Sequence, residues 1–274
     1  MKNLNYLLGI DFGGGASKAT LLSAEGEIIA ENTVEYPTLH PFAGACEQRP
    51  EDWMAALRQN TKAILQKSGI LPMQIACVAL DSATHTAVLC DEAQKPLRPA
   101  IHWTDSRSVK QAQKLREPGM EWITHLAYHK PDPIWTLPQL LWVREEEPEI
   151  FQALRYLFFE KDYIRYQLTG VYCTDYIEAQ GSMLYDLKRQ DWSDELCGLA
   201  GIQRDMLPPL KKPADIIGKI LPGAAEMTGL AEGTPVICGT TDTVLEIFAA
   251  GAVKPGQMTV KLATAGRICV VSPK

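Results

Sequence analysis

The chain has 274 residues, of which 46% are hydrophobic and 22% charged, a globular mix that excludes a disordered or collagen-like polypeptide. That length suits one large or two smaller domains. With 27 Lys and Arg against 33 Asp and Glu, the net charge is −6, and no basic tract is present, which argues against nonspecific binding to a nucleic-acid backbone. The seven cysteines (46, 77, 90, 173, 197, 238, 269) form no CxxC pair, which fits reduced thiols in a cytoplasm and neither a disulfide framework nor a zinc ribbon. No basic leader precedes a long apolar core, and the longest apolar runs, such as Ile75–Leu80, are too short to cross a bilayer. The expectation is a soluble cytoplasmic protein with neither nucleic acid nor membrane as partner.

The first segment predicts a β-meander. Tyr6–Ile10, Lys18–Leu22 and Glu27–Glu35 are strand-like, and Gly13-Gly14-Gly15 and Glu25-Gly26 are gaps too short for a crossover helix. A helix follows, with Pro50 at its first position, Glu51 and Asp52 in its first turn and Gly69 at its end. Trp53, Leu57, Ile64 and Leu65 give it an apolar stripe. The near-continuous apolar run Ile75–Leu80 predicts a buried central strand, and Ala87–Cys90 a further one. Helices are predicted over Ser106–Arg116, Pro138–Glu146, Pro148–Tyr156 and Glu160–Leu168, the last closed by Gly170. Trp192–Gly201 predicts a short helix with Ser193 as cap and Gly201 as stop. Pro208–Pro222 starts as an irregular, proline-rich stretch. Pro235–Cys238 predicts a strand, Gly239–Thr241 a turn and Asp242–Ala250 a helix, before a last strand pair, Val260–Leu262 and Arg267–Val271. A meander followed by alternating strands and helices predicts an α/β domain with a mixed sheet flanked by helices.

Four segments carry chemistry, each beside a plainer explanation. In Asp11-Phe12-Gly13-Gly14-Gly15-Ala16-Ser17-Lys18 the glycines let a backbone turn approach an anion, and the preceding carboxylate is useful where a metal accompanies phosphate. A plain hairpin accounts for the same glycines. It is not a dinucleotide fingerprint, because β-prone Ala19–Leu22 follows where a helix is needed, and no Gly-Lys-Ser/Thr closes a Walker loop. Gly239-Thr240-Thr241-Asp242-Thr243 lies between an apolar strand and an apolar helix, where ligands collect in open α/β sheets. An Asp there can accept a proton or orient a hydroxyl, or simply serve as an N-cap. Asp81-Ser82-Ala83-Thr84-His85-Thr86 sets many hydrogen-bonding groups at a strand end, which suits a polyhydroxyl ligand or bare solvent. His102-Trp103-Thr104-Asp105-Ser106-Arg107 offers an aromatic, an Asp and an Arg as a sugar clamp, or Ser106 as a helix cap. His125 and His129, four apart, could share one helix face, but no HExxH or nearby cysteine supports a metal site.

In this order the segments resemble the N-terminal half of the FGGY carbohydrate kinases, of the actin, hexokinase and heat-shock ATPase superfamily. Asp11–Lys18 is similar to the family's first phosphate motif, Ser82–Thr86 to its sugar-contact segment, and Trp103–Arg107 to its Trp-x-Asp-x-Arg. Glu160–Tyr163, Leu168–Gly170, Thr174–Tyr176, Asp191–Asp194 and Leu207–Pro209 follow the xylulose kinase pattern. Gly239–Asp242 resembles the turn carrying the catalytic Asp, and Ala263–Gly266 the second phosphate motif. Two departures stand out: Gly14 and Gly15 replace hydroxyl residues, and Ala263 and Ala265 replace the usual Gly and Ser.

The resemblance implies an actin/hexokinase-like (ribonuclease H-like) domain over residues 1–252, with 253–274 beginning a truncated ATP-binding domain. It implies phosphoryl transfer from ATP with Mg²⁺ to a hydroxyl of a ketopentose such as xylulose or a related polyol. Asp242 is then the catalytic base. Thr84, His85, Trp103, Asp105 and Asp242 hold the sugar, Gly13, Gly14, Gly15, Lys18, Thr264 and Gly266 the phosphates, and Asp11 the metal. ATP binds through a C-terminal domain that this chain lacks, so the chain alone is expected to be inactive; a homodimer stays open. The alternative is a non-catalytic sugar-binding or regulatory module of the same fold.

Overall fold

The structure, a computed structural model, describes residues 5–262 and 266–273. A mixed sheet forms its spine. In spatial order the strands are Ile216–Lys219, Pro235–Ile237, Ile75–Ser82, Tyr6–Phe12, Ala16–Ser23 and Ile28–Glu35. The predicted meander is present, its three strands antiparallel. Tyr6–Phe12 runs parallel to Ile75–Ser82, which also pairs in parallel with Val236 and with the short strand Thr240–Thr241.

A parallel neighbour needs a crossover, and the helix Pro50–Ser68 supplies it. Pro50 opens it, and Gly69 closes it at φ 67° with its N–H donated to the Leu65 carbonyl. Trp53, Leu57 and Ile64 are fully buried against Leu8, Ile10 and Leu21 of the sheet. The sheet alternates with period two. Leu8, Ile10 and Phe12 enter this core, whereas Leu7, Gly9 and Asp11 face the other way. Ile75–Ser82 differs from the expected fully buried strand: only Ile75, Val78, Leu80 and Ser82 are buried, so its apolar run is covered on one face. The opposite face borders a cavity of about 580 Å³ beneath Leu245 and Ala249.

A second, antiparallel sheet runs in the order Glu47–Gln48, Ala100–Ile101, Ala87–Cys90, Tyr156–Phe159. It separates two cores. Val88, Cys90 and Phe158 join the first, while Ala87, Leu89, Leu157 and Phe159 meet Ile123, Leu137, Leu140 and Leu196 in the second. The adjacent Phe158 and Phe159 therefore point to opposite cores, and both are fully buried.

Several elements depart from expectation. Tyr156 begins a strand instead of ending a helix, because Tyr156–Phe159 pairs edge to edge with Ala87–Cys90. The helix expected over Ser106–Arg116 shrinks to Val109–Lys114, and the Ser106 hydroxyl donates to the Gly44 carbonyl and caps nothing. Helices Glu121–Ala127, Tyr176–Gly181 and Pro222–Thr228 carry no periodic signal long enough to predict them. Ser193 and Gly201 do bracket the helix Asp194–Ala200, the Ser193 hydroxyl accepting from Leu196 N–H. The last strand pair, Met258–Lys261 with Arg267–Val270, pairs only with itself among the described residues. No described helix is long and apolar enough to cross a membrane.

Candidate active site

The polar strand ends converge along one edge of the main sheet. Asp11 lies in register with Asp81, and Asp81 with Thr240. Just past these ends lies a cavity of about 620 Å³. Thr84 and His85, which follow the central strand, form one wall; Thr241–Val244 form another; Trp103 and Trp135 complete it. The structure thus brings Thr84, His85, Trp103 and Asp242 together, with Gly266 at the margin. Thr264 lies outside the described residues.

Gly239 makes the Asp242 turn. It adopts φ 76°, and a Cβ there would stand 2.0 Å from the Leu80 carbonyl oxygen. Only glycine lets the chain pass this close to the central strand. The helix Asp242–Ala249 then starts with Thr241 as N-cap. Asp242 is therefore not the cap: its Oδ1 accepts from the Thr243 N–H (2.5 Å) and hydroxyl (3.1 Å), and Oδ2 has no partner among the described residues. Arg267 donates to the same Thr243 hydroxyl and pairs with Glu246, which also holds Lys261.

His85 has φ 50°, a left-handed conformation uncommon outside glycine. Its ring leans on Trp135 at 4.7 Å, and His129 stacks on the same indole at 4.5 Å. Burial, with the neighbouring His129 and His102, pushes His85 down to about 3, so the imidazole is neutral at physiological pH. His129, Trp135 and Gln180 were not singled out in the sequence as wall residues; they sit on stretches with no motif. The spacing of His125 and His129 does not put them on one helix face. Tyr128 ends that helix at φ 57°, and His129 turns into the cavity.

The glycine turn presents donors. The Gly13 and Gly14 carbonyls are held from behind by the Tyr36 hydroxyl (2.5 Å), the Thr38 hydroxyl (2.7 Å) and the Gln48 amide (2.9 Å), and the Gly15 carbonyl by the Tyr36 N–H (3.0 Å). The N–H groups of Gly14 and Gly15 have no acceptor among the described residues, and both glycines are exposed. Such a turn is an anion cradle. The His102 ring backs Gly14, a contact the sequence did not suggest. Lys18 stands opposite Asp11 across the strand pair, and its ammonium pairs with Glu31 at 2.7 Å.

Acidic groups crowd this edge. Asp11, Lys18, Asp81 and Thr240 line the neighbouring cavity behind the sheet. Burial and the charges of Asp242 and Glu246 raise Asp11 to about 6. Burial and the charges of Asp11 and Asp242 raise Asp81 to about 8. Glu160, fully buried, is pushed well above the usual carboxyl range by burial, then by Glu178, Asp11, Asp242 and Asp81. Neither of its oxygens has a hydrogen-bond partner among the described residues.

Asp105 is the sugar-pocket expectation that the geometry places elsewhere. It is fully buried and is not among the cavity's lining residues. Its carboxylate accepts from Cys46 N–H (2.6 Å) and from the Arg107 backbone and guanidinium, and Arg107 continues to Glu47 at 2.8 Å. The Trp103–Arg107 segment therefore splits. Trp103 faces the cavity, whereas Asp105 and Arg107 turn inward, the guanidinium lying over the Phe42 and Trp142 rings.

Solved structures superimpose on nearly the whole chain. A xylulose kinase from Rhodospirillum rubrum aligns with a TM-score of 0.94 at 26% identity, over 97% of this chain and 55% of its own. A gluconate kinase from Lactobacillus acidophilus aligns with a TM-score of 0.92 at 25% identity, over 96% and 53%. The fold is therefore the actin/hexokinase-like fold of sugar kinases. The family profile described as FGGY family of carbohydrate kinases, N-terminal domain, matches residues 6–249, and the chain belongs to that family. The xylulose kinase of Bacillus subtilis (strain 168) is 33% identical over 97% of this chain and 53% of that protein. The gluconokinase of the same strain is 31% identical over 98% and 52%. The chain spans about half the length of the relatives it matches.

Proposed function

We propose that this chain is the sugar-binding half of an ATP-dependent kinase that phosphorylates a hydroxyl of a ketopentose such as xylulose, or of a related sugar or polyol. The observation that carries the reading is the placement of the Asp242 carboxylate in one cavity with Thr84, His85 and Trp103. The relatives named xylulose kinase and gluconokinase support the substrate class.

In this reading Asp242 Oδ2 faces the attacking hydroxyl and takes its proton late in the transfer, while Oδ1 is fixed by Thr243. Thr84 and neutral His85 hydrogen-bond sugar hydroxyls, and the Trp103 and Trp135 rings cover its apolar edges. The N–H groups of Gly14 and Gly15 anchor phosphate oxygens without help from side-chain hydroxyls. Oxygen donors fit Mg²⁺: Asp11, whose proton is held more tightly by burial and by the charges of Asp242 and Glu246, is the group a hard cation would relieve. When bound, MgATP supplies the phosphoryl group and neutralises charge on it. The adenosine site belongs to the half of the protein beyond residue 252, which the terminal hairpin begins.

The test is Asp242→Asn in a protein that contains both halves. Turnover should fall by roughly 10²–10⁴. Sugar affinity should fall far less, because the amide still meets a hydroxyl. Asp11→Asn should instead shift the Mg²⁺ requirement and leave sugar binding intact. Near-normal turnover in Asp242→Asn would remove the base from this assignment.

A further inference from the structure

Beneath the cavity lies a group of ionisable side chains that the proposed chemistry does not use. Lys161, Asp162, Arg165, Asp175 and Glu178 are all fully buried. The Lys161 ammonium sits 2.7 Å from Asp162 and 2.9 Å from Asp175, with Glu178 at 4.0 Å, and Arg165 is 2.7 Å from Asp162. Burying this many charges is costly, and hydrophobic side chains would fill the space at least as well for stability alone. What distinguishes the network is where its free oxygens go.

Its branches reach two of the ligand-facing turns. Glu178 Oε1 accepts the backbone N–H of His85. Asp175 Oδ1 accepts the Thr240 hydroxyl at 2.9 Å and caps the helix Tyr176–Gly181 through Ile177 and Glu178 N–H. Arg165 donates to the Cys238 carbonyl at 2.5 Å, immediately before Gly239. The same short helix touches the sugar segment at a second point. A Cβ on Gly181 would lie 3.3 Å from the His85 ring and 3.4 Å from the Thr84 hydroxyl. The His85 carbonyl is held in turn by the Thr136 hydroxyl at 3.1 Å.

We propose that Glu178 is a positioning residue: its carboxyl oxygen clamps His85 in the left-handed conformation that presents Thr84 and His85 to the sugar, while Asp175 on the same helix sets the Thr240–Asp242 turn. The sugar-facing part of this inference rests on the sugar-binding reading above. Glu178 is raised to about 8, chiefly by burial, with the nearby Lys161 lowering it and Asp162 and Asp175 raising it. Near pH 7 a neutral side chain with an acceptor oxygen at this place therefore suffices. Gln supplies that oxygen. Asp keeps the carboxyl but is one methylene too short, and Ala has no acceptor.

The test uses this chain and its five histidines. In the unaltered chain the His85 imidazole should stay neutral from pH 5 to 8 by NMR, with His129 and His102 as the titratable rings facing it and Glu178 facing its backbone. In Glu178→Ala and Glu178→Asp the released turn should relax and His85 should titrate near the ordinary 6.5. Affinity for the sugar that a calorimetric panel of ketoses, aldonates and polyols identifies should fall roughly tenfold or more. Glu178→Gln should keep the unaltered titration and lie within about threefold in affinity. Thr240→Val should leave the His85 titration unchanged. An Asp variant that matches the unaltered chain while Gln does not would overturn the clamp, because charge would then be what matters. So would a folded Ala variant with an unshifted His85. If Ala does not fold, the Gln–Asp contrast decides. The titration needs no sugar, so a panel without any response counts against the sugar reading and leaves the clamp to be judged on His85 alone.

Discussion

Gly13–Gly15 and Gly239 both lie where a strand of the main sheet ends, and both turns face the proposed reaction. They use glycine for different reasons. None of Gly13, Gly14 and Gly15 is in the left-handed region, and a Cβ on Gly15 would meet nothing within 4 Å. A Cβ on Gly13 or Gly14 would make only ordinary contacts, 3.4 Å from the Ala16 carbonyl oxygen and 3.5 Å from the His102 ring, so the fold does not require glycine there, and above Gly15 the space is open. Gly239 is alone in its turn, sits at φ 76° and would strike the Leu80 carbonyl with any side chain. The cluster that stands out in the sequence keeps room for a ligand, while the isolated glycine keeps the fold.

The largest effect expected from breaking that contrast is Gly239→Ala. An Ala at positive φ costs about 1–3 kcal/mol, and relieving the 2.0 Å approach to Leu80 must move the central strand as well. The variant should lose several kcal/mol or fail to accumulate as folded protein, read by denaturant unfolding. A stability equal to the unaltered chain would mean that the turn can relax and that the steric account is wrong.

The carboxyls between the two turns give a smaller, pH-dependent effect. Asp11 rises to about 6 and Asp81 to about 8 from ordinary values near 3.8, so folding favours their neutral forms. Their contribution to stability is complete below about pH 3.8 and is lost as pH rises through 6 for Asp11 and 8 for Asp81. In metal-free buffer, Asp81→Asn should therefore flatten the fall in melting temperature between pH 6 and 9 and exceed the unaltered chain at the alkaline end. Equal slopes would show that the Asp81 carboxyl is not held neutral. Mg²⁺ held by ionised Asp11 should shrink the fall in melting temperature above pH 6, because the cation favours the charged form that burial disfavours.

Much of this arrangement was legible in the sequence because it rests on local chemistry. Pro50 and Gly69 delimit a helix by backbone preference, Ser193 and Gly201 do the same for another, and the meander follows from gaps too short for a helix. Asp242, Thr84, His85 and Trp103 were legible through the order of family-like segments. What stayed hidden depends on distant partners. Tyr156–Phe159 is a strand only because Ala87–Cys90 lies beside it. Asp105 shares a segment with Trp103, yet Arg107 and Cys46 pull it inward. Trp135 and His129 reach the cavity from a stretch without periodicity, and Glu178 acts through a six-residue helix too short to announce itself.

The smallest expected effect on stability is Gly15→Ala, and it separates room from strain most cleanly. Gly15 has no left-handed φ to lose and no neighbour for a Cβ to strike. Ala also narrows the unfolded ensemble, so folding should change by less than about 1 kcal/mol and in the stabilising direction. The same methyl group would stand beside the free N–H groups of Gly14 and Gly15, in the space a phosphate needs to reach them. In a protein with both halves, MgATP affinity and turnover should therefore drop, while sugar affinity and melting temperature hold. If turnover were unaffected, the turn would be a plain hairpin and the phosphate would have to be held elsewhere. If stability fell instead, the turn would be as tightly constrained as Gly239, and the contrast between the two would dissolve.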